Sequence, residues 1–452
     1  MLLGCCKVDI TPRVGVELAG FGPFINRHSI GVRLPLSARA YAFSEKGRKA
    51  LLINCELIGL SEEFIKGVAE AICQSIPDLS PGQILICCTH THSGPATISM
   101  HGWGEMDPVY QEILPDKLLQ AGLQAWEKLE EVSLHIGKAP CEHIALNRER
   151  DKDAPPLSEV LQADWRPAKP ELTDTEVQVL KFLRQDGSIK ALLANYGCHP
   201  VVCCQKTRYI HGDFPALAVA MLEQEFPGSC CAFLQGAQGD INSCVVHKEE
   251  DESLMALSLI ATRFANSLRQ ALVNCVELED HSVRAVQENF DFSARADINL
   301  QRLDEMEAEQ LAKLHAPGVS DSDHEARIAM VFLLALRKMR KKLQQNPGYR
   351  PCLPLSGLRL GTVCLLGAPF EVMRAIKNDL VAASRSPHAM LLGFCNGYRG
   401  YAPDKEIVER NRQQKGGYTT DIVPMIFGEL PYADLHTELL AGLSKIDEML
   451  FT

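Results

Sequence analysis

Three histidines at the ends of apolar runs are the residues of this chain whose types and spacing could do chemistry. His90 and His92 lie in Cys87-Cys88-Thr89-His90-Thr91-His92-Ser93-Gly94-Pro95, directly after Gln83-Ile84-Leu85-Ile86. That short apolar run reads as a buried strand ending in a loop, which Gly94-Pro95 terminates. Side chains at i and i+2 of an extended backbone point the same way, so one face is expected to carry both imidazoles. Ala194-Asn195-Tyr196-Gly197-Cys198-His199-Pro200 repeats the pattern, an apolar run ending in Gly, then His, then Pro. His199 could therefore share a metal with His90 or His92. Zinc suits imidazole plus oxygen ligands, and a catalytic site keeps one position open for water.

Two further stretches carry acids next to glycine. His211-Gly212-Asp213 leads into a helix expected from Pro215, and Asp213 could accept from a ligand histidine or cap that helix. Leu234-Gln235-Gly236-Ala237-Gln238-Gly239-Asp240-Ile241-Asn242 reads as a buried strand running into a Gly-rich turn. Its backbone N–H groups could approach a ligand, but it lacks the spacing and the lysine of a phosphate loop, which excludes nucleotide binding.

Strands and helices must alternate to place these loops. Strands are expected at 38–43, 50–55, 132–137, 177–183, 191–196, 229–234, 358–366 and 390–394. Helices are expected at 61–73, 109–130, 215–225 and 433–449, and as a pair within 302–345 broken at Pro317-Gly318. Residues 149–173, rich in Pro, Asp and Glu, read as a long surface loop, and 247–252 as the start of a solvated helix. The basic run Arg337 to Lys342 reads as a solvated helix face. With no repeat and no low-complexity linker, the economical expectation is one large α/β domain over residues 1–452, a mixed β-sheet core flanked by helices.

Composition bounds the function. The chain has 452 residues, 46% of them hydrophobic and 23% charged, which is enough for a sizeable core. Its net charge of −11 argues against nucleic acid or an anionic membrane as the main partner. The seventeen cysteines are odd in number and include no CxxC pair, so free thiols in a cytoplasmic compartment are expected. The first ten residues read as a strand rather than a signal peptide, and no apolar run is long enough to span a bilayer.

Taken in order, these motifs resemble the neutral (non-lysosomal) ceramidase family. The resemblance rests on Thr89 to Pro95, Asn147-Arg148, Cys198-His199-Pro200, Gly212-Asp213 and Gly239-Asp240. It continues in Pro369-Phe370-Glu371, in Asn396-Gly397-Tyr398-Arg399-Gly400-Tyr401, and near the start in Val8 to Pro12 with Ala19-Gly20-Phe21-Gly22. It implies the ceramidase catalytic-domain fold; the C-terminal immunoglobulin-like domain of longer ceramidases is expected to be missing. It also implies one catalytic zinc per chain, held by His90, His199, Glu371 and Tyr401. His92 would then face substrate or sit behind the ligands. Arg148 and Tyr418, in Gly416-Gly417-Tyr418, match family residues that bind polar groups of the substrate.

One departure bears on the substrate. The family carries Ser directly after Gly-Asp-Val, whereas this chain has Asn242 after Gly239-Asp240-Ile241, with Ser243 one place later. Asparagine can hydrogen-bond an amide or an oxyanion but cannot be a nucleophile. The resulting expectation is a zinc-dependent hydrolase that cleaves a linear amide of a small N-acyl substrate, ceramidase-like in chemistry but not acting on ceramide itself. His92 or Asp240 would shuttle the proton, while Asn242, Arg148 and Tyr418 would orient the acyl group and stabilise the oxyanion. An esterase, lactonase or deacetylase acting on a soluble metabolite would keep the site and change the bond. A non-catalytic metal- or ligand-binding relative would keep the metal and lose the chemistry.

Overall fold

Continuous burial along the central strands, on both faces, explains why two sheets stack here. The computed structural model describes residues 1–150, 155–414 and 417–452. Residues 151–154 of the acidic loop and Gly416 of the Gly416-Gly417-Tyr418 motif lie outside the described residues. The first half contributes β1 (Leu2–Asp9), β2 (Ser37–Glu45), β3 (Arg48–Cys55), α1 (Glu62–Ser75), β4 (Ile84–Cys88), α2 (Pro108–Glu127) and β5 (Glu130–Pro140). Then come β6 (Ala145–Asn147), β7 (Glu176–Arg184), β8 (Ile189–Tyr196), α3 (Asp213–Glu225), β9 (Cys230–Gln235), β10 (Ile241–Ser243) and α4 (Glu250–Val273).

The large sheet runs in the order β9-β8-β7-β5-β1-β2-β3-β4, with Val276–Glu277 pairing to β5 off this path. It is mixed: β8 with β9 and β3 with β4 pair in parallel, and the other pairs along this path are antiparallel. A second sheet, β11 (Val283–Asp291), β12 (Cys352–Leu360), β13 (Val363–Gly367) and β15 (His388–Leu392), pairs in that order. Between its last two strands lies β14 (Glu371–Val372), which pairs in parallel with β16 (Tyr401–Ala402).

Period two sorts the side chains into layers. Along β3, Leu51, Ile53 and Cys55 face α1 and α2, while Ala50 and Leu52 face the second sheet. On the other half of the sheet, Val179, Leu192 and Phe233 pack against α3 and α4. Leu180, Leu193 and Leu234 join Leu358, Leu365 and Met390 of the second sheet. That sheet's far face, with Leu355, Leu366 and Leu391, is covered by the terminal helix Leu435–Leu450 and by helix Arg374–Ala383. The layers therefore run helix, sheet, sheet, helix. Each fully buried aliphatic or Phe side chain in them contributes about 1.5–3 kcal/mol.

Most expected elements are present within a few residues, and two differ. The run 358–366, expected as one strand, is the hairpin of β12 and β13, with Leu360 opposite Val363. Gly361 turns it at φ 59°, where a Cβ would lie 2.2 Å from the Asp280 carbonyl oxygen. A continuous apolar run hides such a turn because both of its arms are buried. The described part of 149–173 lies on the surface as expected, where Val160 and Trp165 pin it to the core. Finally, α2 ends at Glu127, and Glu130 already belongs to β5. Among the described residues no helix is long and apolar enough to cross a membrane.

Candidate active site

The strand ends deliver the histidines as expected, although not by strand alternation. β4 stops at Cys88, and Thr89 and His90 donate their backbone N–H groups to the carbonyls of Cys55 and Leu57 beyond β3. His90 adopts φ 67°, so the chain turns there instead of staying extended. This turn, not period two, brings His92 Nε2 to 3.1 Å from His90 Nε2. Beyond β8, Gly197 donates to Asp174 at 3.0 Å. His199 then donates its backbone N–H to the carbonyl of Ile241.

Both of these rings are fixed through Nδ1. That of His90 lies 2.6 Å from the Ile58 carbonyl and that of His199 lies 3.0 Å from the Ile241 carbonyl. A carbonyl only accepts, so each Nδ1 carries the proton and each Nε2 presents a lone pair. Those lone pairs face Glu371, whose Oε2 lies 2.9 Å from His199 Nε2 and 3.6 Å from His90 Nε2. The other carboxylate oxygen accepts from the Tyr398 hydroxyl at 2.5 Å. Glu371 is only 2% exposed and His199 is fully buried.

This arrangement lacks a positive charge. Burial pushes His90 down to about 4, and burial followed by the charge of Arg148 lowers His199 as well. Burial would raise Glu371, but the charges of His90, His199 and Arg148 outweigh it and hold the carboxyl down to about 2. Near neutral pH two imidazole lone pairs and an ionised carboxylate would thus converge with no proton between them. Such a donor set fits a divalent cation, and carbonyl-anchored Nδ1 groups are the usual support for ligating imidazoles. The ligand atoms of His90, His92 and His199 all lie within 4.8 Å of one another, so the cluster could hold a metal ion.

A cavity of about 350 Å³ opens onto this cluster and contains most of the other expected residues. Arg148 lines it, donating to the Gly239 carbonyl at 2.7 Å and lying 5.1 Å over the Tyr401 ring. Asn242 lines it from β10, bridged to His199, and its buried Oδ1 has no partner. Tyr401 and Tyr418 form a wall, their rings 5.9 Å apart, with Tyr418 49% exposed. Burial keeps the phenols of Tyr398 and Tyr401 protonated, well above their ordinary range.

Two expected residues sit elsewhere. Asp240 does not line the cavity: its carboxylate accepts from Asn147 Nδ2 and from the Arg374 backbone N–H, each at 2.8 Å. Tied to two loops, it braces the Gly-rich turn and does not face a reacting group, which counts against it as a proton shuttle. Asp213 touches none of His90, His92 and His199. Its carboxylate accepts from the backbone of Cys203 at 2.8 Å and of Phe214 at 2.7 Å, clamping the loop after His199 to the start of α3. Burial lifts this carboxyl to about 6.

Several site residues escaped sequence reasoning. The Tyr398 hydroxyl, rather than that of Tyr401, contacts Glu371, and spacing alone could not choose between two nearby phenols. Phe21, Trp103 and His247 line the cavity from three separate loops. Only Phe21 had a signal, in the glycines around it. Arg27, buried beneath, donates to the carbonyls of both Ala19 and His92 and stacks on Phe21 at 5.0 Å. Gly20, at φ 96°, touches the His92 ring, and a Cβ there would lie 2.6 Å from His92 Cγ. Gly20→Ala is therefore expected to cost about 1–2 kcal/mol through the left-handed backbone alone. By tilting His92 it should also lower kcat by ~10–100-fold with bound metal retained. Thermal unfolding and metal content measured on the same sample check both halves.

Histidines and a carboxylate gathered at the strand ends of a layered α/β fold make a candidate metal centre. The chain belongs to the neutral/alkaline non-lysosomal ceramidase family, whose N-terminal region matches residues 1–256. The fold is similar to the crystal structure of neutral ceramidase from Pseudomonas aeruginosa, with a TM-score of 0.71 at 17% identity over 99% of this chain and 75% of that one. A ceramidase complexed with C2 is similarly related, with a TM-score of 0.70 at 16% identity, covering 99% of this chain and 74% of that one.

Proposed function

We propose that this protein is a zinc-dependent hydrolase that cleaves the linear amide bond of a small N-acyl substrate. The observation that carries this reading is the convergence of two carbonyl-anchored imidazole lone pairs on the buried carboxylate of Glu371, at the floor of a cavity. His90, His199 and Glu371 would hold the ion, with Tyr401 on the cavity wall as the candidate fourth ligand. Bound there, zinc would polarise a carbonyl oxygen and bring the pKa of a water toward about 7.

The protein's own groups would do the rest. His92 would move a proton to the leaving nitrogen, a role supported by its contact with His90 and its buried Nδ1 without a partner. Asn242 Oδ1 is free to accept an amide N–H, and its own N–H groups can donate to a developing oxyanion. Arg148 and Tyr418 orient the remainder. Tyr398 locks one oxygen of Glu371 so that the other stays aimed at the histidines.

Asn242 argues against ceramide, since it stands where the family carries Ser and cannot serve as a nucleophile.

The test is a panel of matched N-acyl and O-acyl substrates, with ceramide as one member, presented to zinc-loaded protein. We expect turnover of short N-acyl substrates, its loss on chelation and its return with zinc, with ceramide at least ~100-fold poorer. Faster O-acyl turnover would make the protein an esterase, and an untouched panel would make it a metal-binding relative.

A further inference from the structure

The cavity has two unlike walls. Ala19, Ile58 and Ala96, with Ile98 against them, form a small apolar cluster beside the His90 loop. The polar wall comes from the short ladder of β6 and β10, where Ile241 pairs with Asn147 and Asn242 with Leu146. Arg148 leaves the end of β6 and Asn242 lies on β10 next to His199. A substrate that places its scissile bond at the histidines can therefore lay an apolar portion on one wall while its other portion meets Arg148.

Arg148 feels the charge of Glu371 but makes no contact ion pair among the described residues. Its guanidinium hydrogen-bonds the Gly239 carbonyl and stacks on Tyr401, and among the described residues no carboxylate lies within ion-pair distance of it. Glu371 is the only carboxylate lining the cavity among the described residues, and its oxygens are already occupied by Tyr398 and His199. A half-buried guanidinium facing a cavity without a contact ion pair is available to an anion, and its planar fork matches a carboxylate. The other arginines near the site are satisfied differently: Arg27 serves two backbone carbonyls, and Arg150 pairs with Asp404 and Glu406. We propose that the substrate is an N-acylated amino acid whose free carboxylate, on the leaving half, is received by Arg148, while a short acyl chain lies on the Ile58–Ala96 wall. This assignment rests on the amide-hydrolase reading and narrows its substrate class.

A matched pair tests it: N-hexanoyl-alanine and N-hexanoyl-alaninamide, which differ in whether the leaving half is charged. With zinc-loaded protein, the acid should show a kcat/KM at least ~100-fold above that of the amide, as expected for a close charge pair. Arg148→Gln should bring that ratio within ~3-fold of unity, and Arg148→Lys should restore part of it. Equal kcat/KM values in the wild type, or an unchanged ratio in Arg148→Gln, would overturn the proposal.

Calorimetric binding of the same pair separates this inference from the reading beneath it. Carboxylate-selective binding that disappears in Arg148→Gln supports the assignment even if neither compound is cleaved. Selectivity that ignores Arg148→Gln would place the carboxylate on the metal and refute it, and so would equal binding of both compounds. Should Arg148→Gln fail to fold, the lysine variant decides by whether selectivity weakens or stays whole.

Discussion

His90→Ala and His199→Ala are each expected to empty the centre of metal and to lower amide hydrolysis by ~1,000-fold or more. Each ring supplies one of very few convergent lone pairs, and its Nδ1 anchor to Ile58 or Ile241 fixes where its Nε2 points. Zinc content by elemental analysis should fall from about one per chain to less than ~0.1, a drop in line with losing one of three or four protein ligands. His92→Ala is the informative control. Its ring touches His90 but is held through Phe21 and Gly20, not by a backbone carbonyl on Nδ1. We therefore expect it to retain zinc and lose turnover. Stoichiometric zinc in both His90→Ala and His199→Ala would sink the proposed centre, and loss of zinc in His92→Ala would move His92 among the ligands.

How the fold makes this centre was partly legible beforehand, and the boundary has a physical cause. Apolar runs that end in Gly, His and Pro mark strand ends locally, so β4, β8 and their histidines could be read directly. The approach of Glu371 could not be read from local pattern. It comes from a two-residue strand paired with Tyr401, some thirty residues on, and family resemblance alone pointed to it. The same holds for stacking. Continuous apolar runs such as Ala50 to Ile53 announce a strand buried on both faces, but nothing in them says that one of the covering layers is a second sheet.

His-x-His illustrates a right outcome reached by a wrong route. The alternation argument placed two imidazoles on one face of an extended segment, whereas the structure turns the chain at His90 into the left-handed region and lets the rings meet edge to face. A non-glycine residue held there signals a backbone constrained by its surroundings. Here the constraint is a pair of hydrogen bonds from Thr89 and His90 to the end of β3. Asp240 is the converse. An acid in a Gly-rich turn near a site invites a chemical role, and only the partners Asn147 and Arg374 reveal a brace.

Glu371→Gln is expected to separate stability from function with opposite signs. In the metal-free protein the carboxylate faces the lone pairs of His199 and His90, an unfavourable contact among acceptors. A glutamine amide can donate to the His199 Nε2 lone pair from the same place, so the metal-free variant should be at least as stable as the metal-free wild type. The metal-loaded forms should rank the other way. At a zinc concentration ~1,000 times the wild-type Kd, linkage stabilises the wild type by about 4.1 kcal/mol. If losing the anionic ligand weakens binding ~100-fold, the same zinc concentration stabilises the variant by only about 1.4 kcal/mol. Thermal unfolding of both proteins with chelator and with zinc reads this crossing directly, and amide turnover should fall by ~1,000-fold alongside it. Tyr398→Phe, which frees one carboxylate oxygen but leaves the charge, should keep most of the zinc increment. If Glu371→Gln retained the whole zinc-dependent increment, the carboxylate would be a neighbour of the metal rather than a ligand, and the proposed centre would lose its one anionic carboxylate ligand.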